Sequence, residues 1–179
     1  MIVAEIILVT GGSRSGKSRF SLELAEKRSE NRLFIATCPK VDNELDERIS
    51  LHVKEREGRG WDTIEEEIEL AKIIEENTTY DVILVDCLTL WVNNLLFKNN
   101  GAENFNCKLM DEFCEKLILA VKEFDGVIIF VTNEIGLGIV PDNKTSRLYR
   151  DLVGSCNQFI AKKADKVFLV SCGIPLQLK

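Results

Sequence analysis

The chain has 179 residues, a length that suits one domain with a sizeable core. Its composition, 45% hydrophobic and 29% charged, is that of a globular protein, and a formal net charge of −6 argues against a nucleic-acid backbone as the main partner. No apolar run approaches the roughly 20 residues that span a bilayer, and no export leader precedes the first strand, so the expectation is a cytoplasmic protein with no membrane insertion. The six cysteines, at 38, 87, 107, 114, 156 and 172, form no CxxC pair and read as reduced, mostly buried thiols rather than a zinc site.

In chain order, the apolar run Ile6-Ile7-Leu8-Val9 reads as a strand and leads into Gly11-Gly12-Ser13-Arg14-Ser15-Gly16-Lys17-Ser18, after which Arg19 to Lys27 is helix-like. Gly11, four residues, then Gly16-Lys17-Ser18 is the P-loop pattern in the strand–loop–helix setting that it requires. Glycines let successive backbone N–H groups converge on phosphate oxygens, and the helix N-terminus adds its positive dipole end. Lys17 is then expected to reach the β- and γ-phosphates, and the Ser18 hydroxyl to help hold Mg²⁺. The competing possibility is a glycine-rich turn that happens to precede a helix.

Arg32 to Thr37 is a short apolar strand stopped by Cys38-Pro39. Residues 42–57 are strongly charged with Leu45, Ile49 and Val53 four apart, which predicts a solvated amphipathic helix ended by Gly58-Arg59-Gly60. A brief strand at Trp61-Asp62-Thr63 and a helix over 64–76 follow. Asp81 to Asp86 is a continuous apolar strand, as expected when both faces are buried. Helices are predicted over 88–97 and 105–124, a strand over 126–132, and a Gly- and Asn-rich loop over 133–144 long enough to suspect function. The remainder reads as a helix over 145–164, a strand over 166–171 and a short last strand. Alternating strands and helices without repeat or linker imply one α/β domain over residues 1–179, with a mainly parallel sheet covered on both faces.

Three positions stand out for chemistry. Asp86 closes a buried strand where open α/β sheets place ligand groups, which suits support of Mg²⁺; capping the next helix is an alternative or coexisting role. His52 is the one histidine, flanked by Arg48, Lys54, Arg56 and Arg59. A histidine on a charged helix is usually a surface residue, yet this cationic setting also suits a nucleophile attacking a triphosphate. Thr132-Asn133-Glu134 forms a polar cluster at another strand end, readable as functional or as an ordinary strand-to-helix connection. Arg147, Arg150 and Asp151 read as a solvated helix face.

The whole chain resembles the adenosylcobinamide kinase / adenosylcobinamide-phosphate guanylyltransferase family. The likeness runs through the P-loop, Phe34-Ile35-Ala36-Thr37, Arg48-Ile49-Ser50-Leu51-His52, Trp61 to Glu65, Asp86 to Leu96, and most specifically Val131-Thr132-Asn133-Glu134-Ile135-Gly136-Leu137-Gly138-Ile139-Val140-Pro141. Arg147 to Gly154, Asn157-Gln158 and Val170 to Ile174 agree as well. The position of Asp86 is glutamate in some relatives, and the segment from His52 to Trp61 is about one residue longer than in some.

The resemblance implies a P-loop NTPase-type, RecA-like three-layer fold and a bifunctional enzyme of cobalamin biosynthesis. One step phosphorylates adenosylcobinamide with ATP or GTP; the other forms a GMP–histidine intermediate from GTP and passes GMP to adenosylcobinamide phosphate. It implies His52 and Lys17 as catalytic residues. It implies a nucleotide site of Gly11, Gly12, Ser13, Arg14, Ser15, Gly16, Lys17, Ser18, Ala36, Thr37, Cys38, Val53, Lys54, Glu55, Arg56, Glu65 and Asp86, with Ser18 and Asp86 on Mg²⁺ and a homotrimeric assembly. A plain small-molecule kinase and a nucleotide-dependent switch are the rival readings, the first leaving His52 without a chemical role.

Overall fold

In a computed structural model of the chain, the described residues are 4–39, 53–99, 101 and 104–179. Among them twelve elements follow in order: β1 (Glu5–Gly11), α1 (Lys17–Glu26), β2 (Arg32–Ala36), β3 (Trp61–Glu65), α2 (Leu70–Glu76), β4 (Val82–Asp86), α3 (Leu88–Lys98), α4 (Cys107–Lys122), β5 (Val127–Val131), α5 (Lys144–Lys163), β6 (Lys166–Ser171) and β7 (Ile174–Gln177). A single helical turn over 53–56 is also present.

The strands form one seven-stranded sheet in the order β3-β2-β4-β5-β1-β6-β7. All neighbours run parallel except β7, which returns antiparallel beside β6. Side chains alternate across a strand, so each apolar run serves both faces. Ile6 and Leu8 of β1, Ile83 and Val85 of β4, and Ile128 and Phe130 of β5 enter the core beneath α2 to α5. Ile7, Val9, Val82, Leu84, Ile129 and Val131 enter the opposite core, with Leu22 and Ala25 of α1. Phe34 and Trp61 extend that second core towards the β2–β3 side, packed edge to face at 6.1 Å.

Two helices start at polar caps that the sequence supplies. Asn106 accepts from the Leu109 amide at 3.0 Å, and Asn143 from the Ser146 amide at 2.7 Å. The expected mainly parallel, two-faced sheet is present. One element differs: residues 64 and 65 belong to β3, and the helix predicted from Ile64 begins at Leu70. Pairing with β2 over Arg32–Ala36 overrides the apolar spacing of Ile64 and Ile68, while Glu66 accepts from the amides of Ile68 and Glu69, both at 2.8 Å. The predicted amphipathic helix over 42–57 lies largely outside the described residues. The cysteines are free thiols, with Cys87, Cys114 and Cys156 buried but Cys107 and Cys172 exposed.

Candidate nucleotide site at the carboxyl edge of the sheet

β1 delivers the chain into the loop at Gly11, whose place no larger residue can take. A Cβ there would sit 2.4 Å from the Val170 carbonyl oxygen of β6 and 2.6 Å from Ser15 Oγ. Gly16 turns the backbone through φ 94 into α1, which no side chain caps. The first amides of a helix have no intrahelical acceptor, so this end is built to meet an anion. Inside the loop, the Gly12 carbonyl accepts from the Ser15 amide at 3.2 Å and from Lys17 Nζ at 3.1 Å. Lys17 is buried, its ammonium folded over the loop. The Ser15 hydroxyl is buried without a hydrogen-bond partner, a polar atom left for a ligand oxygen in the cradle. Ser13 and Arg14 are exposed, and Ser18 is half-buried.

Register places three of the other expected residues, Ala36, Glu65 and Asp86, on one row. Glu65 lies opposite Ala36, Ala36 opposite Asp86, Asp86 opposite Val131, and Val131 opposite Val9, two residues before Gly11. At ~4.8 Å per strand, Asp86 stands roughly 10 Å and Glu65 roughly 19 Å from the β1 strand along this edge.

Asp86 does not cap α3: Cys87 is the N-cap residue, and no side chain caps that helix. Thr37 and Cys87 are tied together instead. Thr37 Oγ1 donates to the Cys87 carbonyl at 2.8 Å and accepts the Cys87 amide at 2.7 Å, while Asn94 donates to the Thr37 carbonyl at 2.9 Å. Thr37 is therefore fully buried and fixes the floor of the site; Cys38, beside it, is half-buried. Burial pushes the Cys87 thiol up to about 12, helped by the Asp86 carboxylate and opposed by Lys17, so both charges act at this point.

The turn over 53–56 covers the α1 face of β2. Arg56 is buried with its guanidinium 3.6 Å above the Phe34 ring. Burial lowers the Arg56 pKa, and the charges of Asp86 and then Glu55 oppose that shift. Val53, Lys54 and Glu55 are exposed, and a cavity of about 780 Å³ opens against Val53, Lys54, Arg56, Trp61 and Thr63. His52 lies outside the described residues; Val53, next in the chain, does not.

A second polar cluster gathers beside the loop. Thr132 donates to Asn157 Oδ1 at 2.7 Å, which leaves Thr89 as the donor in their 3.2 Å contact. Thr89 in turn accepts the Asn133 amide at 2.7 Å, and Asn157 donates to the Asn133 carbonyl at 3.1 Å. The Glu134 amide donates to the Gly11 carbonyl at 3.0 Å, joining this cluster to the P-loop strand. Arg147, expected on a solvated face, donates to the carbonyls of Pro141 and Asp142 at 3.0 and 2.7 Å and pins the far end of the 132–143 loop. Residue types alone signal Thr132 and Asn133; the partnership with Thr89 and Asn157 needs the fold.

A family described as cobinamide kinase / cobinamide phosphate guanyltransferase matches residues 7–178. The chain belongs to this family. It is 37% identical to the bifunctional adenosylcobalamin biosynthesis protein CobU of Escherichia coli, over 97% of this chain and 99% of that one. It is 38% identical to CobU of Salmonella typhimurium, again over 97% and 99%, and 38% identical to CobP of Pseudomonas aeruginosa over 96% of each. Among solved structures, the flagellar accessory protein FlaH of Methanocaldococcus jannaschii is similar with a TM-score of 0.54 at 16% identity, covering all of this chain and 80% of that one. A solved ATPase domain is similar with the same TM-score of 0.54, at 14% identity over 92% of this chain and 68% of that one. These two likenesses show the fold alone, a mainly parallel sheet covered by helices, which this family member shares with both.

Proposed function

We infer that this family member is a bifunctional enzyme of adenosylcobalamin biosynthesis, folded as one domain, that phosphorylates adenosylcobinamide and then transfers GMP to the phosphate. The observation that carries the reading is the row Glu65–Ala36–Asp86–Val131–Val9 ending at the P-loop, with buried Lys17 at one end and buried Arg56 above Phe34 further along. The uncapped helix start and the unpartnered Ser15 hydroxyl support a phosphate cradle from Gly11 to Ser18.

In the kinase step the acceptor hydroxyl attacks the γ-phosphorus of ATP or GTP, and the nucleoside diphosphate leaves while Lys17 neutralises developing charge. In the second step a ring nitrogen of His52 attacks the α-phosphorus of GTP, and the bond to pyrophosphate breaks. A phosphate oxygen of the acceptor then displaces the imidazole, giving adenosylcobinamide-GDP and free His52. Arg56 offsets charge at the α-phosphorus, and Val53, Lys54, Glu55, Ala36, Thr37, Cys38 and Glu65 line the nucleotide. Ser18 and Asp86 are hard oxygen donors that would suit Mg²⁺; among the described residues no group of three or more His, Cys, Asp or Glu forms a protein cage. Held by Ser18 and Asp86, Mg²⁺ would supply Lewis-acid neutralisation of phosphate charge. A cytoplasmic homotrimer without membrane insertion completes the reading; among the described residues no helix is long and apolar enough to cross a membrane.

Incubation with α-labelled GTP tests it. Acid-labile label on the protein should vanish in His52→Ala and persist in a surface control, and adenosylcobinamide with GTP should yield adenosylcobinamide-GDP by mass. Unlabelled wild-type protein alongside intact phosphorylation would reduce the activity to that of a kinase.

A further inference from the structure

Glu26 is the last residue of α1, the helix whose first turn forms the phosphate cradle. Its carboxylate holds the chain on both sides of Gly60: Oε2 accepts from the Arg59 guanidinium at 2.5 Å, and Oε1 from Trp61 Nε1 at 3.0 Å. Arg59 also donates to the Glu55 carbonyl at 2.8 Å, which carries the tie into the turn over 53–56. From β2, the buried Arg32 donates to the carbonyl of Arg59 and to that of Ser29, and its guanidinium lies 5.1 Å from the centre of the Trp61 ring.

An ion pair with side chains 37% and 21% exposed adds little to stability. Two hydrogen bonds on one carboxylate, however, fix direction as well as distance. The ten-residue α1 is about 15 Å long and stiff, so Glu26 couples the loop at one end of that helix to the 53–61 segment at the other. His52 directly precedes Val53, the first residue of this segment, in the chain. We propose that Glu26 is a positioning residue for nucleotidyl transfer: through Arg59 and Trp61 it sets the segment after His52 against the helix that grips the triphosphate. The kinase step shares the cradle and the nucleotide-lining turn over 53–56 but does not use His52, so at saturating nucleotide its rate does not depend on where the clamp sets His52. The inference rests on the nucleophilic role of His52.

The test measures two rates in the full-length protein: single-turnover labelling by saturating α-labelled GTP, and phosphorylation of adenosylcobinamide by saturating γ-labelled ATP. Misplacement of a reacting group by about 1 Å costs up to ~100-fold. Glu26→Ala should therefore slow labelling by about tenfold to a hundredfold while phosphorylation stays within about twofold. Glu26→Gln, which keeps an acceptor for Trp61, should lose less. Trp61→Phe, which removes one hydrogen bond and keeps the ring on Phe34, should slow labelling by a few-fold and decides the matter if Glu26→Ala does not fold. Wild-type labelling rates in these variants, or equal losses in both reactions, would overturn the clamp. Label that persists in His52→Ala would overturn the nucleophile itself, a failure read independently of Glu26.

Discussion

A Cβ on Gly16 would come to rest 3.0 Å from the Cα of Gly173, because the turn between β6 and β7 closes directly on the phosphate loop. The Gly173 amide donates to the Ser15 carbonyl at 2.8 Å, so the far edge of the sheet braces the cradle from behind. Gly16 also has φ 94, a conformation that costs an L-residue about 1–3 kcal/mol. Gly16→Ala should lower the melting temperature measurably, by ~2–4 °C for each kcal/mol lost in a chain of this size. Gly12 contrasts with it: a Cβ there meets nothing within 4 Å. Gly12→Ala should melt like the wild type, and a large loss of stability in that variant would mean the loop geometry is wrong.

Arg56 and Phe34 supply a prediction about affinity. A desolvated cation–π contact contributes up to ~2 kcal/mol, and Arg56 is buried 3.6 Å above the ring. Phe34→Leu should keep the core volume nearly filled while loosening the guanidinium. The expected outcome is a rise in the apparent KM for GTP of a few-fold, and Arg56→Met should raise it further. Steady-state kinetics on both variants check the order.

The Thr89–Thr132–Asn157 cluster predicts a stability loss with a polar cause. Thr132 is fully buried, donates to Asn157 and accepts from Thr89. Thr132→Val preserves shape but strands both partners, at a cost of ~1–3 kcal/mol. Denaturant titration should show a lower midpoint with an unchanged slope. Removing the Asn157 side chain as well should add less than its separate effect, since the two share one network.

Alkaline stability follows from Cys87. Its folded-state pKa, raised from 9.0 to about 12 by burial and then by Asp86, lies above that of the unfolded thiol. The native state therefore keeps a proton that the unfolded chain gives up, and stability falls as pH rises between about 9 and 12. Below pH 9 this contribution is fully present. Cys87→Ala should flatten the dependence in that window, measured as the denaturation midpoint against pH.

Much of this molecule is legible from spacing. The P-loop, the two-faced strands at 82–86 and 127–131, and the helices over 107–122 and 144–163 follow from local pattern, because each stretch carries its own periodicity. The β3 strand is longer than its pattern suggests because pairing with β2, not the spacing of Ile64 and Ile68, sets its length. Arg147 stays half-exposed on its helix but is tied down, because its acceptors are carbonyls at the end of a loop, and carbonyls leave no trace in residue type.

The sequence by itself determined the glycine-rich turn of the P-loop pattern, the alternation of strands and helices, and the family. Those properties are written in contiguous residues, whose backbone freedom and apolar period act over a few positions. Only the tertiary structure decided that Glu65, Ala36 and Asp86 share one level of the sheet edge, and that Glu26 holds Arg59 and Trp61. Strand register and cross-chain carboxylate contacts join residues far apart in the chain, and which pairs form is settled by the packing of the whole core rather than by any local preference.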